Sequence, residues 1–166
     1  MKIEELIVFF GLPAQNEKFD KFLTANGIVE KPIFDVDSEN PTERIQIPEQ
    51  GLSLEFIRPI SYHQRYGSVR EDGEMIFAKI FVYATPEDEF SAYTGQVLPG
   101  VSTNITAADA LDRFGVPSRV RDEGDPFGRP NNIEYSWEDV EGLSIFIRFL
   151  KEPPSVRHMV ISPKKG

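Results

Sequence analysis

The chain has 166 residues, 40% hydrophobic and 27% charged, a balance typical of one folded domain or two small ones rather than of a disordered chain. It has no cysteine, which excludes a disulfide framework, a thiol nucleophile, an iron–sulfur cluster and cysteine-ligated zinc. Its 27 acidic and 18 basic residues give a net charge of −9, which disfavours nucleic-acid binding and suits a basic protein partner.

The first predicted element is a helix at the N-terminus. Four apolar residues have the i, i+3, i+4, i+7 spacing of one helical face, and a glycine that can end the helix follows them: Ile3, Leu6, Ile7, Phe10 and Gly11. The opening residues are acidic where a secretion signal needs positive charge, and no apolar run approaches the ~20 residues of a membrane helix. We therefore expect a cytoplasmic protein that does not enter a membrane.

The next part of the chain combines helical and strand patterns. Residues 17–27 carry apolar residues at helical spacing before a glycine, which predicts a second helix. A short strand is predicted over 43–47, and the alternation of apolar and polar residues in 51–59 predicts a half-buried strand. Residues 74–84 are apolar on nearly both faces, which predicts a central strand.

An aromatic and polar segment, residues 59–67, follows the half-buried strand. Tyrosine and arginine are favoured at protein interfaces, so Tyr62, Arg65 and Tyr66 are candidate partner contacts. The alternative interpretation is an ordinary hairpin loop. No serine–histidine–acid or paired-histidine spacing accompanies His63, so a general-base role is disfavoured.

Three acidic clusters are candidates for binding a partner. Their members are Asp35, Asp37 and Glu39; Glu87, Asp88 and Glu89; and the segment 122–125. The first cluster lacks the glycine and terminal glutamate of a calcium loop, so we predict no metal site there. Residues 86–90, which contain the second cluster, are predicted to begin a short helix. Each cluster is either a solvated surface or part of an acidic surface that mimics a polyanion and plugs a basic active site.

A helix is predicted again past the middle of the chain. Its apolar face and its terminal glycine repeat the N-terminal pattern in Ala107, Ala110, Leu111, Phe114 and Gly115. Thr106 and Asp109 fit a capping-box variant at its start.

Strands and a hairpin turn are predicted for the rest of the chain. Alternation predicts a strand over 133–138, a turn over 139–142 and a further strand that begins at Leu143. A last strand is predicted over 156–161. In it His158 shares a face with Val156 and Val160, which favours a packed, hydrogen-bonded histidine over a metal ligand.

The second half of the sequence echoes the first. The helix with its glycine recurs, and Gly51-Leu52-Ser53-Leu54 recurs as Gly142-Leu143-Ser144-Ile145 in the same order. Two echoes in one order favour an internal duplication. We expect an α+β fold of two tandem helix-plus-antiparallel-meander units, with the helices packed on one face of an antiparallel sheet. The expected units are residues 1–100, with an inserted helix and a linker, and 101–166, or else one continuous domain.

The repeated motif resembles a known architecture. A helix, then Phe10-Gly11-Leu12-Pro13 or Phe114-Gly115-Val116-Pro117, then apolar strands, is similar to the tandem unit of BamE-like domains and of the β-lactamase inhibitor protein. It is also similar to small bacterial immunity-type proteins, in which a segment like Leu98-Pro99-Gly100-Val101 leads into a helix and Phe-Gly-x-Pro. We expect the chain to differ from lipoprotein relatives, since its opening residues do not fit a signal peptide and its sequence has no cysteine to carry a lipid. The resemblance implies a binding scaffold rather than an enzyme and transfers no functional residue.

We therefore expect an immunity or inhibitor protein, without cofactor or metal, that neutralises a cognate bacterial toxin domain by occluding its basic site. Two alternatives stay open. One is a small hydrolase that uses dispersed carboxylates or His63, which requires a deep pocket with titratable groups of shifted pKa. The other is an adaptor that associates with itself through a sheet edge.

Overall fold

The computed structural model describes residues 1–35, 40–123 and 131–166. Its helices are α1 Ile3–Leu6, α2 Glu17–Ala25, α3 Pro59–Tyr66 and α4 Ala107–Phe114, with 3₁₀ turns at Ile7–Phe9 and Pro48–Gln50. Its strands are β1 Thr42–Ile47, β2 Leu52–Ile57, β3 Ile76–Tyr83, β4 Gln96–Leu98, β5 Val101–Ser102, β6 Arg119–Glu123, β7 Asn132–Val140, β8 Leu143–Lys151 and β9 Pro154–Pro163. No helix in these ranges has the length and apolar character needed to cross a membrane.

Within the described residues, one large antiparallel sheet organises the fold. Its strand order is β1-β2-β3-β9-β8-β7-β6, and β4 and β5 form a separate small hairpin. The predicted mixture of helices with an antiparallel sheet is confirmed, and β3 is interior to the sheet as the sequence predicts. The predicted hairpin turn is also confirmed, because β7 and β8 are joined at Glu141 and Gly142, which both have positive φ.

The hydrophobic core lies on one face of this sheet, under α1, α2 and α4. Phe19 of α2 is fully buried, and its ring centroid lies 5.1 Å from that of Phe77 and 6.1 Å from that of Phe56. On α4, Phe114 packs at 5.2 Å against Trp137, whose indole N–H donates to the Gly115 carbonyl at 2.9 Å. Helices α2 and α4 are thus attached to the sheet by large aromatic side chains, which dominate burial energetics, whereas α1 buries Ile3 and Leu6.

Helix α3 packs on the opposite face, which corrects two expectations. Residues 59–66 form a helix rather than a hairpin loop, because Pro59 suits the first helical turn and Tyr62 and Tyr66 share one helical side. Tyr62 packs with Ile57, Ile76 and Ala78 in a second apolar cluster. Those strand residues point away from the main core and need a cover of their own. An arrangement with all helices on one face is therefore not present.

The local signals were confirmed to different degrees. The capping box of Thr106 and Asp109 is present, and both Gly11 and Gly115 have positive φ. The N-terminal helix is shorter than predicted, because a 3₁₀ turn follows Leu6 and Phe10 is extended, with ψ near 135°. The short helix predicted at 86–90 is wrong, since this segment forms a turn closed by a bridge between its second and last residues.

Candidate functional site

The face of the sheet that carries α3 is only partly covered by it, and the remaining part is a surface of long side chains. Residues directly opposite each other on neighbouring strands point to the same side, so the strand register defines this surface. We call it the open face; its members are Arg44, Glu55, Lys79, Phe81, Tyr83, Glu134, Phe146, Arg148, His158 and Val160.

A buried carboxylate anchors one end of the open face. Glu55 is 2% exposed and accepts hydrogen bonds from Arg44 at 2.7 and 3.0 Å and from Lys79 at 2.6 Å. Burial raises the pKa of Glu55, but the hydrogen bonds from Lys79 and Arg44 outweigh it, so the pKa lies below its ordinary value. The Arg44 guanidinium also lies 4.2 Å from the centre of the Phe81 ring. The cations are therefore outermost and the acid lies beneath them.

The same layering occurs on the neighbouring strands. Glu134 is 7% exposed and accepts from Arg148, with 2.7 Å between Nε and Oε1. His158 stacks on Phe146 with 5.7 Å between ring centroids. Burial lowers the pKa of His158 to about 4, with Arg148 adding to the effect, so the ring is neutral near pH 7.

The predicted strand environment of His158 is partly confirmed. His158 lies on β9 and shares a face with Val160, but Val156 points into the main core. The reason is a register shift opposite Arg148 and Phe149, which places one extra residue in β9. The side chains of β9 that precede this residue therefore point to the opposite face from the one that simple alternation predicts.

An acidic turn, residues 86–90, stands at the border of the open face. Glu87 and Phe90 exchange backbone hydrogen bonds of 3.1 and 2.9 Å, and the Phe90 ring stacks on Tyr83 at 4.1 Å. Arg157 donates to the Glu87 carboxylate, which lowers the pKa of that group. The carboxylates of Asp88 and Glu89 stay exposed, and Asp88 has a φ of +52°, which aspartate tolerates better than most residues. Two acidic groups are thus presented on a turn that is fixed at both ends.

The other predicted contact residues are distributed differently. Tyr62 is 4% exposed and burial raises its pKa to about 12, so its ring fills the gap between α3 and the sheet and offers no surface to a partner. Tyr66 is half-buried, with 5.1 Å between its ring and that of Tyr62. Arg65 and His63 are exposed on the outer side of α3.

Only one member of the first predicted acidic cluster lies within the described residues. Asp37 and Glu39 lie outside the described residues, whereas Asp35 is exposed. Asp35 follows Phe34, whose ring lies 4.0 Å from the Arg58 guanidinium at the start of α3. That end of the sheet is separated from the acidic turn by the length of β3, about 23 Å. Asp35 and the acidic turn therefore cannot contact one small site together.

The sequence contains no local signal for the pairs that make up the open face. Glu55 binds a cation from each neighbouring strand, and Glu87 binds Arg157 from the far end of the chain. Among residues 1–35, 40–123 and 131–166, no three His, Asp or Glu side chains are grouped as a metal site. Comparison of the chain with protein-family models, curated proteins and solved structures finds no match.

Proposed function

We propose that this chain is a cytoplasmic immunity-type protein, which binds a basic toxin domain and blocks its active site with the acidic turn. The observation that carries the proposal is the way this turn is built. Glu87 is bound by Arg157 and Phe90 is stacked on Tyr83, while Asp88 and Glu89 remain exposed between them. A turn that is ordered before binding loses little conformational entropy in the complex.

The surroundings of the turn suit a protein interface. The adjacent open face offers Tyr83, Phe146 and His158, and Arg157 lies beside them where it holds the turn. Aromatic residues and arginine are the types enriched at binding hot spots. A stable inhibitor complex needs about 800 Å² on each partner, more than the turn alone supplies. The turn would therefore enter the basic site while part of the open face covers its rim, and the net charge of −9 would speed the encounter.

Two carboxylates, Glu55 on the open face and Glu87 on the acidic turn, are poorly suited to hydrolysis. Glu55 and Glu87 each have a lowered pKa and accept hydrogen bonds from arginine or lysine, so near neutral pH they are ionised and already partnered. An acid catalyst needs the opposite, a carboxyl group whose pKa is raised towards neutrality. His63 stands exposed on α3 and is not among the groups that shift the pKa of either carboxylate.

We also propose that the sheet comprises two related units, as the sequence echo predicts. The pair β3–β9 lies near the centre of the sheet. Outward from this pair, β2 and β1 follow on one side, and β8 and β7 follow in the corresponding places on the other side. The echoed glycines, Gly51 and Gly142, stand directly before β2 and β8 with φ values of +67° and +83°. This symmetry supports units within 1–100 and 101–166 that meet at the β3–β9 pair.

The function can be tested by capture and inhibition. The wild-type protein, an Asp88→Lys/Glu89→Lys variant and an Asp72→Lys/Asp112→Lys control would each be immobilised and exposed to a lysate of the native cells at low and high salt. The control reverses two exposed charges elsewhere. We expect the wild type and the control to capture one protein and to inhibit its purified activity, and the turn variant to bind it about 100-fold more weakly.

Two results would contradict the proposal. One is a captured protein whose activity is unaffected by a saturating amount of the wild-type chain. The other is an equal loss of binding in the turn variant and in the control, which would mean that net charge alone, rather than the turn, sets the affinity.

A further inference from the structure

The first strand of the sheet has an unshared edge. β1 pairs with β2 on one side and is the terminal strand of the sheet, so its other backbone edge has no strand partner within the described residues. The strand at the opposite end, β6, has charged side chains at 119, 121 and 122, a feature that discourages pairing with another chain. β1 is less protected, since Ile45 and Ile47 alternate with its polar residues.

A groove runs along this unshared edge. The segment 26–33 and residues 43–47 of β1 enclose a cavity of about 600 Å³. Val29 and Ile33 belong to its lining, although they are 75% and 72% exposed. Ile45 on β1 is half-buried and lines the same groove. Exposed aliphatic side chains beside a free strand edge are the features that bind an extended peptide as an additional strand.

The charges around the groove restrict its occupant. Glu30, Glu43 and Glu49 line it. The cations in the lining are engaged: Lys31 lies 3.2 Å from Asp20 and donates to the Ile28 carbonyl at 2.8 Å, and Arg44 binds the buried Glu55. A segment placed there therefore meets a negative rim and an apolar floor.

We propose that this groove binds an extended segment of a partner protein in which apolar and basic residues alternate, and that the segment adds to β1 as an outer strand. Successive side chains of a strand point to opposite sides, so one set can pack on Val29, Ile33 and Ile45. The basic residues of the other set are free to reach Glu30 and Glu49, which are exposed at the rim, whereas Glu43 lies on the same side of β1 as Ile45. The inference goes beyond the proposed toxin-blocking function and does not require it, since none of these residues belongs to the acidic turn.

The test is an NMR titration of the full-length chain with a defined probe. The probe is a capped peptide of alternating lysine and valine, and the matched control peptide replaces every lysine with glutamate. We expect saturable shifts below about 1 mM of the basic peptide, confined to amides of 26–33 and of β1, and no shifts with the acidic peptide. Slowed hydrogen exchange of the outer β1 amides is expected at saturation.

Three variants separate the contributions. Glu30→Lys/Glu49→Lys and Val29→Ser/Ile33→Ser change exposed side chains, so both are expected to fold and to weaken peptide binding about 10-fold. Val116→Ser removes a side chain that is 91% exposed outside the groove and should leave binding unchanged.

Other outcomes overturn the inference. Shifts centred on the acidic turn, equal binding of both peptides, or no binding at 1 mM would each exclude a basic, apolar strand as the occupant. Sedimentation of the wild type as a dimer, with Val29→Ser/Ile33→Ser monomeric, would identify the occupant as a second copy of this chain instead.

Discussion

Gly51 and Gly142 occupy corresponding places, each directly before a strand and each with positive φ, yet their surroundings differ. A Cβ on Gly51 would lie 2.3 Å from the Ser91 carbonyl oxygen and 2.6 Å from the Tyr93 nitrogen. A Cβ on Gly142 would meet nothing within 4 Å. At Gly142 only the backbone conformation disfavours a side chain. At Gly51 the close approach of residues 91–93 disfavours one as well.

Alanine at the two positions should therefore have unequal effects. We expect Gly142→Ala to lower the free energy of unfolding by about 1 kcal/mol, the cost of placing a side chain at positive φ. Gly51→Ala should cost more than about 3 kcal/mol, because backbone atoms must move. Urea unfolding followed by circular dichroism measures both, and equal losses would contradict the close approach.

Glu55 provides a second comparison. Replacement by glutamine removes the negative charge between Arg44 and Lys79. We expect the free energy of unfolding to fall by about 2 kcal/mol, because removing one partner of a buried ion pair leaves the remaining charges uncompensated. Glu17→Gln removes an exposed i,i+4 pair with Lys21 and should cost less than about 0.5 kcal/mol. Chemical denaturation at low and high salt gives the comparison; similar losses in both variants would show that Glu55 is solvated.

His158 should make the free energy of unfolding depend on pH. Its pKa is about 4 in the folded chain against an ordinary 6.5, so the unfolded chain binds the proton more readily. This contribution is complete above pH 6.5 and is lost as the pH falls from there through 4. The groups that face the ring are Arg148, Arg157, Glu87, Glu134, Tyr83 and Phe146.

The test compares the wild type with His158→Gln. Between pH 7 and pH 4.5, the free energy of unfolding of the wild type should fall by about 1–2 kcal/mol more than that of His158→Gln. This is less than the full pKa shift of His158 would give, because the ring is partly exposed. The stabilising contributions of Glu55 and Glu87 are also lost in acid, but this loss occurs in both proteins and cancels in the comparison. A difference that stays constant with pH would show that His158 is not shielded.

The rigidity of the acidic turn can be measured without a partner. In Arg157→Gln, the exchange protection of the Glu87 and Phe90 amides should fall at least about 10-fold, because the charge-assisted contact with Glu87 is lost. Arg113→Gln, which removes a 3.8 Å surface pair with Glu141, is the matched control and should leave these amides unchanged. Unaltered protection in Arg157→Gln would mean that the Phe90–Tyr83 stacking alone orders the turn.

Some features could be predicted because their causes are local. Helix α4 begins at a capping box and ends at a glycine within ten residues. The alternation of Leu52, Leu54 and Phe56 predicted the strand β2 correctly, but the expected half-burial is wrong: all six of its residues are buried, since Ser53 and Glu55 are covered as well. Helix α3 was missed because its signals, a proline and two tyrosines, also fit a loop. Only the apolar residues on the second face of β2 and β3, Ile57 among them, required a helix there.

The sequence by itself determined the α+β class, most strand and helix positions, the absence of cysteine chemistry and the excess of negative charge. The tertiary structure decided which charges are buried, which are paired and which stay exposed. Glu87 and Arg157 are 70 positions apart, and Val156 faces the core because of a register shift. Local periodicity is encoded by neighbouring residues, whereas ion pairs and strand faces depend on contacts between distant segments, which only the folded chain brings together.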